Sequence, residues 1–509
     1  MARTATPPAT GSGGLLKRLV LGRPLASSKQ EHQLLPKVLA LPVFSSDPLS
    51  SVAYATEEMM LVLALAGATA LSFMLPIGFA IAVLLVIVIT SYRQTVRAYP
   101  RGGGSYIVSR ENLGTLPGLT AAAAILTDYV LTVAVSVTAG TIAVSSAVPD
   151  LGEHRVLIAI GFVALITLAN LRGVKEAGTL FAVPTYGFVV MVYATLGSGL
   201  VQCLAGCRTA ESAETVQLPV HQALTLFLVL RAFSSGATAL TGVEAIADGV
   251  QAFRRPQAKN AAATLAIMGS FSISMFLGIT YLARALDVRV SEDFEGSSVL
   301  AQIGETVFGR SLVFFLLQGF TAGILILAAN TAYQDFPRLS AILARDRFMP
   351  SQFRNRGDRL VFSNGVVVLA ILACLLIYVF DADLTRLIQL YVVGVFTAFT
   401  LSQAGMVRRW MRLRGRRWLR SAVINGIGAL TTGIVLVIVT ITKFSRGAWI
   451  VIVAMPIIIA FFLAVHHHYD RVGRMLRARR LTADWEASNT FVFLVDDLDT
   501  ATLDAVSYL

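Results

Sequence analysis

Apolar segments of membrane-spanning length alternate with short polar turns along most of this chain. A helix needs roughly 20 mostly apolar residues to cross a bilayer. Twelve segments meet that length, at 38–66, 71–92, 119–148, 153–171, 178–203, 221–251, 261–284, 311–333, 361–380, 385–406, 421–443 and 447–467. The pattern predicts an all-α integral membrane protein with twelve transmembrane helices.

The first segment carries a polar patch where lipid-compatible residues are expected. Residues 44–51 read FSSDPLSS, between apolar flanks on both sides. Pro48 lacks a backbone donor and disfavours helix at the residue before it, so we expect the helix to break at Asp47. Irregular backbone at membrane depth is tolerated where protein or a wet cavity lines it, and an acid there indicates a functional site. The patch therefore predicts a binding site.

The sixth segment repeats this pattern, because FSSG at 233–236 matches FSSD at 44–47. We expect this helix to be broken as well. Two interrupted helices five segments apart are typical of inverted-repeat transporters. The predicted organisation is repeat one at 38–203, repeat two at 221–406 and accessory helices at 421–467.

Composition and charge agree with a membrane protein. The 509 residues are 55% hydrophobic and 14% charged, with 42 Lys and Arg against 30 Asp and Glu, a net charge of +12. The positive residues concentrate in alternate turns, most densely at 408–420. This bias predicts cytoplasmic N- and C-termini, with 1–37 as a cytoplasmic leader and 471–509 as a cytoplasmic tail. It accounts for the basic charge without a nucleic acid partner.

The tail contains a short apolar run at 490–498 followed by a helix-like stretch. It reads as the first strand and helix of an α/β unit. The residues that remain are too few to close a core, so we expect the natural protein to continue. The cysteines at 203, 207 and 374 are interpreted as unpaired small hydrophobes.

Polar side chains within the apolar segments define a candidate cation site. Asp128, Thr132 and Ser136 follow the spacing i, i+4, i+8 and share one helix face. Carboxylates, hydroxyls and freed carbonyls are the oxygen ligands that hard cations prefer. The alternatives are helix packing for the hydroxyls and an ion pair with Arg231 for the acids. The candidate residues are Asp47, Tyr54, Asp128, Thr132, Ser136, Thr241, Glu244 and Tyr391, of which Asp47, Asp128 and Glu244 are also candidates for proton coupling.

A glycine-rich turn, YPRGGGSY at 99–106, follows the second segment. No strand precedes it and no Gly-Lys-Ser/Thr follows, so a phosphate-binding loop is not indicated. We interpret it as a gating hinge.

Four stretches, 44–54, 99–104 with 111–114, 128–136 and 239–245, resemble the amino acid-polyamine-organocation (APC) superfamily. Within it they are most similar to the bacterial KimA-type, KUP-related potassium importers. The resemblance covers about residues 17–470. It implies a LeuT-like fold with a 5+5 inverted repeat, a homodimer in the bacterial plasma membrane, and proton-coupled potassium uptake with potassium at the candidate residues above.

The resemblance also bears on regulation and cofactors. Family members carry a C-terminal domain like the universal stress proteins, which binds cyclic di-AMP and inhibits transport, and residues 490–509 resemble its beginning. Cyclic di-AMP is therefore an expected partner only where the full domain is present. No cofactor is expected apart from the transported potassium ion and proton.

Two other functions remain open. An amino acid permease of the same superfamily usually has a glycine-rich first break, which exposes N–H groups to the substrate carboxylate. Asp47 would repel that carboxylate, so potassium is the preferred substrate. A non-transporting membrane receptor is the second alternative. No nucleophile and base pair or zinc spacing indicates an enzyme.

Overall fold

The computed structural model describes residues 34–100, 102, 104–172, 177–290, 297–355 and 361–476. Most of the predicted leader and the predicted α/β start at 490–498 lie outside these ranges. Every regular element in the described ranges is helical, apart from an isolated parallel bridge between Leu35 and Phe253.

The described ranges contain seventeen α-helices, numbered in chain order. Their bounds are α1 Lys37–Ser50, α2 Val52–Ala64, α3 Met74–Ala98, α4 Ser105–Leu113, α5 Thr115–Ala147, α6 Arg155–Leu171, α7 Ala177–Leu204, α8 Ser212–Thr215, α9 Leu226–Gly236, α10 Ala245–Asp248, α11 Gln257–Ala285, α12 Val299–Phe308, α13 Leu312–Arg345, α14 Ser363–Val379, α15 Leu384–Leu413, α16 Trp418–Lys443 and α17 Ala448–Leu476.

Ten helical spans in the described ranges are long and apolar enough to cross a membrane. They account for ten of the twelve predicted segments. The other two segments contain shorter helices, since α1 and α2 occupy 38–66 and α14 occupies 361–380. The structure is therefore that of a multi-pass membrane protein, and the count of twelve spans stays a prediction.

The helices sort into a buried centre and an outer layer. All of α1 from Ala40 onward is buried, and α5 packs between α13 and α15. The outer helices α6 and α14 carry large apolar side chains that are mostly exposed, such as Leu157 at 73% and Tyr378 at 72%. An apolar exterior around a centre that holds polar residues is what a bilayer requires, because lipid rather than water surrounds the outer faces.

The first helix is interrupted at a different residue from the one predicted. The prediction of a break at Asp47 is wrong, since α1 continues through Pro48 and ends at Ser50. The amide of Ser51 still donates to Asp47 O at 3.0 Å, and the Ser50 and Ser51 hydroxyls donate to the same carbonyl at 2.9 Å. Proline at this position removes one donor but has a helix-compatible φ, and the serine hydroxyls hold the next turn in place.

The sixth segment is broken as predicted. Its first half, α9, ends at Gly236 and continues as a 3-10 turn, Ala237–Leu240. The chain then leaves helical geometry at Thr241, whose ψ is 153°, and at Gly242, whose φ is +75°. The second half, α10, begins at Ala245. An extended residue next to a left-handed glycine prevents the helix from continuing through this turn.

Three features differ from the sequence predictions. Short helices α4 and α12 lie in two of the turns between predicted segments, where no helix was predicted. Helix α13 extends to Arg345, twelve residues beyond the predicted end at 333. Cys203 and Cys207 form a disulfide, so the prediction that they are unpaired is wrong. The chain turns back at Gly206 directly after α7, and this turn brings the two cysteine Cα atoms to 4.0 Å.

Helix α15 approaches α5 closely at Gly394, and this contact can be tested. A Cβ at residue 394 would lie 2.9 Å from Ala124 O, a backbone atom that cannot rotate away. We expect Gly394→Ala to destabilise the protein by up to about 2 kcal/mol net, because overpacking costs about 1–3 kcal/mol and the higher helix propensity of alanine offsets roughly 1 kcal/mol of that cost.

The measurement is thermal unfolding of the purified protein in detergent. Gly319→Ala in α13 is the control, because a Cβ there meets no atom within 4 Å. The control should be neutral or slightly stabilised. Equal unfolding temperatures for Gly394→Ala and the wild type would contradict the close contact.

Candidate cation site

A small cavity lies where the two interrupted segments meet α5, α13 and α15. It has a volume of about 20 Å³, which is room for about one water-sized occupant. Four acids line it: Asp47 from α1, Asp128 from α5, Glu244 from the turn before α10 and Asp335 from α13. The structure thus brings the three predicted acids together and adds a fourth.

Asp47 reaches this position because the broken sixth segment packs directly against it. A Cβ on Gly242 would lie 2.6 Å from both the Asp47 carboxyl carbon and Pro48 Cδ. Only glycine combines this close approach with a φ of +75° at low cost. Gly242 therefore lets the turn cover the Asp47 side chain.

Hydrogen bonds between hydroxyl groups also connect the two interrupted segments. Ser51 and Thr241 share a hydrogen bond of 2.7 Å, and Tyr54 OH donates to Ser51 Oγ at 3.1 Å. The Thr241 hydroxyl also contacts Thr238 O at 2.9 Å. The predicted residues Tyr54 and Thr241 therefore belong to one buried network that spans both interruptions.

A second pair of hydroxyls connects α5 with α15. Thr132 and Tyr391 share a hydrogen bond of 2.8 Å and both side chains are buried. Ser136 is buried one turn further along the same face of α5. These three predicted residues lie beside the cavity rather than in its lining, which includes Asp128 one turn before Thr132.

The charge balance of the cavity is unusual for a membrane interior. Asp47 Oδ1 and Asp128 Oδ1 are buried and accept no hydrogen bond from the described residues. None of the residues that line the cavity is basic. Burying a carboxylate without a partner is costly, so such a group is stabilised by a proton or by a bound cation. The cavity can therefore attract and hold positive charge.

The acids do not form a compact metal centre. In the part of the chain that the structure describes, no three His, Cys, Asp or Glu side chains converge closely enough to hold a metal ion. A divalent cation usually takes several carboxylates. The lining of the cavity also includes the hydroxyl residues Tyr129 and Thr331, and carboxylate and hydroxyl oxygens together form a mixed set of ligands that a monovalent cation can use.

Sequence reasoning missed Asp335 and the groups around it. Asp335 is 6% exposed, and Thr331 one turn before it also lines the cavity. The predicted eighth segment ended at 333, which placed Asp335 in a loop. The polar run NTAYQD at 330–335, at the end of an apolar segment, was the available signal. Asp248 lies nearby and accepts a hydrogen bond of 3.1 Å from Tyr129, another lining residue.

Helix α4 closes one side of the site. The amide of Ser105, the first residue of α4, donates to Glu244 Oε1 at 2.6 Å. A methyl group on Gly104 would overlap the carboxylate of Asp248, so glycine allows the chain to pass over that acid. A carboxylate at a helix N-terminus is stabilised by the unpaired amides there. The glycine-rich stretch predicted as a gating hinge, 99–106, therefore leads into a short helix that rests on Glu244. Residues 101 and 103 lie outside the described ranges, and the gating role stays a prediction.

The far side of α4 is attached to the end of α13. Arg110 forms an ion pair with Asp346, and Tyr106 OH donates to the same carboxylate at 2.7 Å. Burial and the bond to Asp346 raise the pKa of Tyr106, so its phenol remains protonated. These contacts attach α4 to the residue that follows α13.

The fold and this site define a class of protein. The family model described as "Amino acid permease" matches residues 40–463, most of the chain, and the chain belongs to that family. This confirms the predicted place in the APC superfamily. The chain is also 45% identical, over 462 residues, to a protein of Bacillus subtilis (strain 168) named "Potassium transporter KimA", with 91% of this chain and 76% of that protein covered.

The contact between Gly242 and Asp47 gives a prediction. Gly242→Ala adds a methyl group 2.6 Å from the Asp47 carboxyl carbon and strains a backbone with φ +75°. We expect Asp47 to shift and the site to lose at least about tenfold in affinity for monovalent cations, equivalent to about 1.4 kcal/mol.

The measurement is the rise in unfolding temperature of the purified protein on titration with potassium or rubidium chloride, against choline chloride at equal ionic strength. Gly197→Ala is the control, because a Cβ at residue 197 meets no atom within 4 Å. An unchanged titration in Gly242→Ala would show that Asp47 does not depend on this contact.

Proposed function

We propose that this protein is a secondary active transporter that imports potassium through a mid-membrane cation site. The observation that carries the proposal is the cavity between the two interrupted segments, with buried carboxylate oxygens of Asp47 and Asp128 and no basic residue in its lining. The 45% identity to a protein named as a potassium transporter supports the choice of cation.

The proposed mechanism is alternating access on a LeuT-like fold. Repeats at 38–203 and 221–406 would move against each other around the site, with twelve transmembrane helices in total. The contacts that support this are those between the repeats: Ser51 with Thr241, Thr132 with Tyr391, and Gly242 against Asp47. Release toward the cytoplasm would require α4 to leave Glu244.

The proposed orientation has both termini in the cytoplasm of a bacterial cell. The arginine-rich turns support it through the positive-inside rule. The Cys203 and Cys207 disulfide lies in a turn on the predicted outer side, and disulfides persist mainly outside the cytoplasm. A homodimer in the plasma membrane is part of the proposal. Control by cyclic di-AMP would belong to a domain whose predicted start lies outside the described residues.

Protons are the proposed coupling ion. Asp47, Asp128 and Glu244 face one cavity, and Asp335 adds a fourth acid there. Like charges this close disfavour full ionisation, so some of these carboxyls would carry protons when the cation is absent. In proton symport, one of these carboxyls would keep its proton while potassium binds to the oxygens of the others, and both ions would be released to the cytoplasm together.

An amino acid substrate is the alternative that the family description raises. An amino acid transporter of this fold presents backbone N–H groups to the substrate carboxylate. The corresponding position here holds Asp47, whose buried Oδ1 accepts no hydrogen bond from the part of the chain that the structure describes. The two negative charges would repel each other. The electrostatics of the site therefore favour a cation over a zwitterion.

The assay that tests the function is growth and rubidium-86 uptake in a bacterial strain that lacks its own potassium importers. The wild type should restore growth at low potassium and take up the isotope. Asp47→Asn and Asp128→Asn should each lower uptake by at least about tenfold because the cation loses a charged ligand, a loss worth about 1.4 kcal/mol or more, and Asp335→Asn should weaken it.

Membrane levels of each variant are measured in parallel by immunoblot, and Asp381→Asn, at an exposed ion pair with Arg155, is the matched control that should behave as the wild type. Wild-type uptake in both Asp47→Asn and Asp128→Asn would refute the site. Uptake of labelled amino acids without uptake of rubidium would select the alternative function.

Proton coupling has a test of its own. In proteoliposomes with an inward proton gradient, rubidium uptake should rise as the external pH falls, because lower pH supplies the driving ion. A protonophore combined with a potential clamp should abolish accumulation. Accumulation that persists after the proton gradient has collapsed would exclude this coupling while leaving potassium transport intact.

A further inference from the structure

The turn between α15 and α16 carries a dense group of arginines, which we call the arginine patch, residues 408–420. Its sequence, RRWMRLRGRRWLR, contains no acid. Helix α15 ends at Leu413 and α16 begins at Trp418, so the patch occupies the adjacent ends of two membrane-spanning helices. Its members are Arg408, Arg409, Arg412, Arg414, Arg416, Arg417 and Arg420.

Two of these arginines serve the fold and the others face outward. Arg409 is half-buried, stacks on Tyr99 and donates to its hydroxyl at 3.2 Å, and Arg412 donates to Asn112 at 3.2 Å. The remaining five are exposed. In the described residues none of the seven forms an ion pair with an acid, although six of them are exposed at one turn. Mutual repulsion among these arginines favours the binding of anions beside them.

Exposed apolar side chains alternate with these arginines. Met411 is 48% exposed, Leu413 is 54% exposed and Leu419 is 62% exposed. Trp410 and Trp418 flank them, and tryptophan is enriched where a membrane meets water. Arginine combined with exposed apolar side chains and tryptophan is typical of segments that lie among lipid headgroups. There the guanidinium groups contact phosphates and the apolar side chains contact acyl chains.

We propose that the arginine patch is a binding surface for the headgroups of anionic phospholipids. Guanidinium groups bind phosphate oxygens in a bidentate manner, and basic clusters at the ends of membrane helices attract acidic lipids. The position of the patch at two helix ends places it at headgroup level. The apolar residues favour a lipid over a soluble anion, because they need acyl chains beside them. The inference does not depend on the transported substrate.

The experiment uses the full chain purified in detergent and measures retained phosphatidylglycerol against phosphatidylcholine by native mass spectrometry at low salt. The patch variant is Arg408→Gln, Arg416→Gln, Arg417→Gln and Arg420→Gln combined, none of which has a hydrogen bond to α4. Its apparent affinity for phosphatidylglycerol should fall by at least about tenfold, because each surface arginine contributes attraction to an anionic headgroup layer. Phosphatidylcholine binding should not change.

The matched control removes the same charge from exposed positions in turns predicted to lie on the same side: Arg255→Gln, Lys259→Gln, Arg345→Gln and Arg354→Gln. It should retain phosphatidylglycerol as the wild type does. An equal loss in the control would show that net charge alone matters and would overturn the proposal. Retention of phosphatidylglycerol by the patch variant would overturn it as well.

Two further arms identify the ligand. Leu413→Asn with Leu419→Asn should also weaken phosphatidylglycerol binding, since a lipid needs the apolar contact. In a competition arm, inorganic phosphate and unlabelled phosphatidylglycerol are compared at equal concentration for their ability to displace bound phosphatidylglycerol. If phosphate displaces it as effectively as the lipid does, the patch binds a soluble anion and the proposal is overturned. If the combined variant aggregates on gel filtration, the single variants Arg416→Gln and Arg417→Gln take its place. Each should show a smaller loss of affinity for phosphatidylglycerol, and unchanged affinity in both would contradict the proposal.

Discussion

Carboxylates buried in a membrane interior need a positive charge or a proton, and the centre of this protein is arranged around that requirement. An acid at the middle of a transmembrane helix costs about 2.5–3.5 kcal/mol on insertion scales. Four such groups line one cavity of about 20 Å³ without a basic residue among its lining. Acids that are kept in a membrane interior at this cost indicate a functional site, and cation binding is the proposed function of this one.

The helix interruptions follow from the same requirement. The first helix divides at Ser51, whose φ and ψ stay helical, whereas at Thr241 and Gly242 the chain leaves helical geometry. The hydroxyls of Ser51 and Thr241 meet between the two segments. Helices α5, α13 and α15 complete the surroundings, and α4 covers Glu244. Because lipid surrounds the outer faces of the helices, the polar side chains are placed in the interior of the bundle. The helices near the cavity thus expose apolar faces to lipid and direct their polar side chains toward the buried carboxylates.

Much of this arrangement could be predicted from the pattern of residues. The twelve apolar segments all contain helix, the sixth is broken as expected, and Asp47, Asp128 and Glu244 meet at one cavity. These predictions succeeded because the cost of burying polar groups in lipid is large and acts on each segment separately. The repeated FSS sequence added the pairing of the two interruptions.

The remainder depended on tertiary contacts that no local pattern records. The interruption lies at Ser51 rather than Asp47 because two serine hydroxyls support the turn after Pro48. Asp335 escaped notice because α13 continues past its apolar part, held by packing and by the ion pair of Arg110 with Asp346 beyond its end. The Cys203 and Cys207 disulfide depends on the turn after α7, which hydropathy does not describe.

An experimental structure determined with rubidium or thallium in place of potassium would show directly whether the cavity among Asp47, Asp128, Glu244 and Asp335 holds the transported cation. We expect one strong peak of heavy-ion density in this cavity, within coordination distance of the Asp47 or Asp128 carboxylate, and its loss in Asp128→Asn. Ion density confined to other parts of the protein, with this cavity filled only by water under saturating ion, would contradict it.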